Sequence, residues 1–133
     1  MNKIEHIGIA VKNLSNSSDL YQRLLGCASY KTESVESENV ITEFFKMGES
    51  KIELLQASSD QSPIASFIEK KGEGIHHIAF AVSNIVEEMA RLKGQGFKLL
   101  SDKPKKGADN KLVCFIHPKT TGGVLIELCQ EIA

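Results

Sequence analysis

Apolar residues alternate with small or polar ones, or run together, over residues 3–11 and again over 74–82, and Ile, Val and Phe dominate both stretches. That pattern predicts strands. After the first stretch, Leu14, Leu20, Tyr21, Leu24 and Leu25 form a stripe at helical spacing that stops at Gly26. After the second, Ile85, Met89 and Leu92 form another, which stops at Gly94 or Gly96. Asn84 and Glu87 have the spacing of a capping box at the start of that second helix. Further strands are expected near 28–35, 39–47 and 50–56, then near 97–100, 111–117 and 123–130. The order is β-α-β-β-β, twice. Between the two copies, residues 62–72 read as a short connecting helix, with Ser62 as N-cap, Pro63 in the first turn and Gly72 past the end.

The repetition extends to individual residues. Shifted by 71 positions (6 to 77), Glu5-His6-Ile7-Gly8-Ile9-Ala10-Val11 lies over His76-His77-Ile78-Ala79-Phe80-Ala81-Val82. Shifted by 74 (53 to 127), Gly48 through Gln56 lies over Gly122 through Gln130 and shares Gly, Ile, Glu, Leu and Gln. A loop absorbs the difference of three residues. The chain therefore reads as one domain of two modules, about 1–56 and about 73–130, joined by a connector of about 57–72.

Within these apolar strands the repeat keeps two polar residues per module, His6 and His77, Glu53 and Glu127. Such groups are costly to bury unless paired or ligated. Alternation places His6 with Gly8 and Ala10, and His77 with Ala79 and Ala81, so the histidine face is lined with small residues, as a cavity wall requires. Two imidazoles and two carboxylates converging by pseudo-two-fold symmetry make a mixed N/O site for a divalent transition metal, with positions left open for water or substrate.

Composition narrows the function. The 133 residues carry 17 acidic and 16 basic side chains, a formal charge of −1 and a pI near 6.4, without the positive field of a nucleic-acid binder. No apolar run approaches the roughly 18–20 residues of a membrane span, and residues 1–10 carry charges where a signal peptide is apolar, so a soluble, cytoplasmic protein is expected. Cys27, Cys114 and Cys129 are widely spaced without a CxxC pair, and buried thiols are expected rather than disulfides.

The duplicated β-α-β-β-β order with His, Glu, His and Glu at these positions resembles the vicinal oxygen chelate superfamily. The stretches Lys51–Gln56, Asp60–Phe80 and His117–Leu128 resemble its methylmalonyl-CoA epimerase family, over essentially the whole chain. The resemblance implies an α+β fold in which the tandem modules form a half-open cup of mixed β-sheet. It implies a divalent ion, one of Co2+, Mn2+, Ni2+ or Zn2+, held by His6, Glu53, His77 and Glu127. Some of these epimerases carry Gln where this chain has Glu53, and a Glu there resembles glyoxalase I.

The implied chemistry is epimerisation at C2 of an acyl-CoA thioester through a metal-stabilised enolate, in a homodimer with no nucleic-acid or membrane partner. Glu127 and Glu43 would be the two acid/base groups, with Glu43 the nearest match to a strand glutamate of bacterial epimerases although the preceding Gly is absent. The basic stretch Lys103–Asp109 is a candidate contact for CoA phosphates, while His76 and His117 read as structural. The competing functions are a glyoxalase I-like enzyme acting on glutathione thiohemiacetals, and a metal-free binding module of the drug-resistance kind.

Overall fold

The computed structural model describes residues 1–133. Its elements are β1 (Lys3–Ala10), α1 (Leu14–Leu25), β2 (Lys31–Val35), β3 (Val40–Met47), β4 (Ser50–Ala57), α2 (Pro63–Lys71), β5 (Gly74–Ala81), α3 (Ile85–Gly94), β6 (Lys105–Lys106), β7 (Lys111–Ile116) and β8 (Ile126–Glu131). The eight strands hydrogen bond in the order β2-β3-β4-β1-β5-β8-β7-β6. They fall into two compact units, one of residues 7–76 and one of residues 1–6 with 77–133, so β1 and β5 each contribute to both.

In the unit of residues 7–76, β2, β3 and β4 form an antiparallel meander in which Thr42 faces Leu55, Glu43 faces Leu54 and Phe44 faces Glu53. The β3–β4 turn pairs Met47 with Ser50 and puts Gly48 at φ 62, a positive angle that glycine adopts without steric cost. One face packs under α1, where Val11, Phe45 and Leu54 meet Leu14, Tyr21 and Leu25. The other packs Ala10, Val40 and Leu55 against Ile64, Phe67 and Ile68 of α2. Asn13 caps α1. The helix signals in the sequence hold: Gly26 closes that helix in the left-handed region at φ 74, and Ser62 accepts from the Ile64 amide at the start of α2.

In the other unit β8 runs parallel to β5 and antiparallel to β7, so Glu127 lies between Ala79 and Phe115. On the opposite face Leu128, Cys114 and Ile116 pack against Ile85, Met89 and Leu92 of α3, the apolar stripe of the sequence. Asn84 caps that helix by accepting from the Glu87 amide. Three expectations need correction. The strand foreseen at 97–100 is reduced to a single bridge from Leu99 to Ile116, and the edge strand forms instead at Lys105–Lys106, inside the stretch read as a loop. Cys27 is exposed, directly after the glycine that ends α1, whereas Cys114 and Cys129 are the buried free thiols expected. Burial pushes the Cys114 thiol up, partly offset by hydrogen bonding from Ser101.

Candidate metal centre

Strand pairing decides which side chains meet. Because Glu127 is level with Ala79 across the parallel β5–β8 pair, and His77 lies two residues from Ala79, the imidazole and the carboxylate project from the same face. The intervening side chain is a methyl group, fully buried. The edge of Phe115, level with Glu127 on β7, meets the His77 ring at a centroid distance of 5.6 Å and fixes its plane. His6 enters from β1, its ring perpendicular to that of His77 with centroids 5.1 Å apart.

Three donor atoms converge there. His6 Nε2 lies 3.0 Å from His77 Nε2 and 3.0 Å from Glu127 Oε1, and His77 Nε2 lies 2.9 Å from the same oxygen. All three side chains are buried. Burial raises the pKa of the Glu127 carboxyl, but hydrogen bonds from His6 and His77, with the attraction of both rings, prevail and hold it well below the usual carboxylate range.

The triangle fits a metal ion. An ion about 2.1 Å from each donor sees edges of this length at about 90°, the angle between neighbouring positions of an octahedron; a tetrahedral set would have edges of about 3.4 Å. Two imidazoles and one carboxylate so spaced would suit a divalent transition-metal ion, which would supply Lewis-acid chemistry there.

Glu53 and Glu43 belong to the other unit and are both buried. Glu53 lies opposite Phe44, on the face of the β3–β4 hairpin that also carries Thr42 and Leu55. Glu43 lies opposite Leu54, next to Phe45, on the face covered by α1, and its Oε2 accepts a hydrogen bond from Ser18 of that helix. Glu43 and Glu53 therefore project from opposite faces of one hairpin.

The other histidines are structural, as expected. His76 meets the edge of Phe67 at 4.9 Å, and His117 accepts at Nδ1 from the Lys119 amide to cap a short turn. One participant went unnoticed in the sequence. Glu5 is buried, and its carboxylate accepts from His6 Nδ1 at 2.8 Å. The available signal was a carboxylate directly before His6, at the repeat position where the second module has His76.

An α+β fold with an eight-stranded mixed sheet and a buried cluster of two histidines and one carboxylate is the vicinal oxygen chelate architecture. The chain belongs to the Glyoxalase/Bleomycin resistance protein/Dioxygenase superfamily, whose profile matches residues 5–115. It is 41% identical over 130 residues to the uncharacterised protein YqjC of Bacillus subtilis, covering 98% of this chain and 93% of that one. It is 37% identical over 131 residues to the mitochondrial methylmalonyl-CoA epimerase of Mus musculus, covering 98% and 74%. Among solved structures, a Streptomyces coelicolor methylmalonyl-CoA epimerase in complex with 2-nitronate-propionyl-CoA is similar at a TM-score of 0.96 and 32% identity, covering 100% of this chain and 96% of that one.

Proposed function

We propose that this chain is a divalent-metal-dependent isomerase that interconverts (2R)- and (2S)-methylmalonyl-CoA by moving the proton at C2. The observation that carries the proposal is the convergence of His6 Nε2, His77 Nε2 and Glu127 Oε1 at spacings suited to one ion. The likeness to methylmalonyl-CoA epimerases over nearly the whole chain supports the substrate class. His6, His77 and Glu127 would hold the ion. The ion's contribution is Lewis-acid stabilisation of the negative charge that develops when C2 loses its proton.

The side chains do the rest. Glu127 directs Oε1 toward both imidazoles, which leaves Oε2 to take or return the C2 proton on one face, and its carboxylate form is the one that accepts. Phe115 keeps the His77 ring in place while excluding water from one side. Inversion needs a donor on the opposite face of C2, and the hydrogen bond of Glu43 with Ser18 of α1 speaks against Glu43 in that role. The exposed Lys105 and Lys106 of the β6 edge are the cations proposed to meet CoA phosphates.

Glu53, a carboxylate where some epimerases have an amide, favours one second reading, a glyoxalase-like isomerase of glutathione thiohemiacetals. A single experiment separates the two. The metal-replete protein in D2O is expected to exchange the C2 proton of methylmalonyl-CoA, and chelator should stop it. Absence of exchange together with turnover of a methylglyoxal–glutathione adduct would transfer the protein to the second reading.

A further inference from the structure

Of the three converging donors, His6 is the one whose far ring nitrogen meets a buried carboxylate beside it in sequence. Glu5 is 5% exposed, and its Oε1 lies 2.8 Å from His6 Nδ1, on the side of the ring away from His77 and Glu127. An imidazole has two nitrogens, and a ligand must present a lone pair from one while the other keeps its proton. A carboxylate at Nδ1 holds a proton there, so that Nε2, which meets Glu127 Oε1 at 3.0 Å, is the nitrogen left to give up its proton and bind an ion. It also orients the ring and raises its basicity as a donor, as carboxylates behind metal-binding histidines generally do.

The surroundings suit an ionised carboxylate. Glu5 lines, with Lys3, Lys111, Glu131, Val82 and Cys129 among others, a cavity of about 370 Å³ of mixed polar and apolar character, so its charge is not enclosed by apolar groups alone. The Cys129 thiol completes the back of the ring, its Sγ within 4.8 Å of both the Glu5 carboxylate and the His6 nitrogen. The second module is built differently. His76 stands where Glu5 stands in the first and packs against Phe67, so the carboxylate is a feature of the His6 side and not of the repeat.

We propose that Glu5 is a positioning residue of the centre, fixing the proton of His6 on Nδ1 and thereby setting the strength with which Nε2 binds a divalent ion. This rests on the metal reading of the same site, and the test separates the two. Zn2+ affinity is measured by competition with a chromophoric chelator, and the imidazole N–H protons are followed by NMR in protein labelled with 15N-histidine, without added metal.

In wild-type protein His6 should show a downfield Nδ1–H protected from solvent exchange. Glu5→Ala should lose that signal and bind Zn2+ roughly 10–100-fold more weakly, and Glu5→Asp, one methylene too short to reach Nδ1, should show a loss in the same direction. Should Glu5→Ala be poorly folded, Glu5→Gln, which keeps size and polarity, is expected to show the same 10-fold or greater loss. Wild-type affinity in both Glu5→Ala and Glu5→Gln, or an unaltered Nδ1–H in Glu5→Ala, overturns the proposal. Wild-type protein that takes up no Zn2+ sinks the metal reading instead, and the Nδ1–H signal still decides whether Glu5 positions His6.

Discussion

At the scale of single residues, function depends on which face of a strand a side chain leaves. His77 shares its face with Ala79 and Glu127, and truncating it removes one of three donors while leaving the opposite, α3-covered face untouched. His77→Ala should therefore abolish stoichiometric divalent-metal binding with the fold retained; a full equivalent of metal at unchanged affinity would show that the ion is held elsewhere. Glu43 gives the opposite expectation. Because its carboxylate accepts from Ser18 beneath α1, Glu43→Gln should leave the rate of C2 proton exchange within about threefold of wild type, far from the roughly 10²–10⁴-fold loss of a removed acid/base. A loss of that size, in protein of wild-type thermal stability, would return Glu43 to the reaction.

These residues also mark how far the sequence could be read. His6, His77 and Glu127 were legible because each is a polar residue in an apolar strand at a matched repeat position, and burial makes such residues expensive without a shared purpose. Glu43 was less legible because a strand has a period of two, and an uncertainty of one residue in alignment reverses the face. Glu5 was invisible for a related reason: strict alternation sends it away from His6, yet its longer side chain reaches around to Nδ1.

At the scale of elements, the caps were legible because they are local. Ser62 and Asn84 each satisfy an amide of the first turn that has no partner within its helix. Asn84→Ala should cost about 1 kcal/mol, seen as a lower midpoint in urea unfolding with unchanged slope, while Asn84→Ser or Asn84→Asp should recover most of it. Leu128, fully buried between β7 and α3, belongs to another class. Leu128→Ala should cost about 2–5 kcal/mol, because the cavity it leaves adds to the lost transfer energy. Equal losses for the two substitutions would mean that α3 is held by its packing no more firmly than by its cap. The edge strand at Lys105–Lys106 was not legible, since two consecutive lysines carry no apolar alternation and their pairing with Leu112 and Val113 is a tertiary outcome.

At the scale of the whole molecule, the centre joins parts of the chain that are remote in sequence. His6 and His77 stand 71 positions apart, and Glu127 lies 50 positions further (77 to 127), close to the other end. An ion that binds only the folded arrangement stabilises it by RT ln(1 + [L]/Kd), about 2.7 kcal/mol at a hundredfold excess over Kd. The protein should therefore melt at a higher temperature with saturating divalent metal, and the gain should vanish in His77→Ala. Amide hydrogen exchange locates the effect: protection should rise most in β5 and β8, which carry His77 and Glu127 and pair directly. The dependence on pH has a definite sign. Both imidazoles must present unprotonated Nε2 to the ion, so metal binding displaces protons, and the thermal gain should shrink as the pH is lowered. A metal-induced gain in melting temperature that is unchanged between pH 8 and pH 5 would mean that the histidines do not ligate, whatever the metal content.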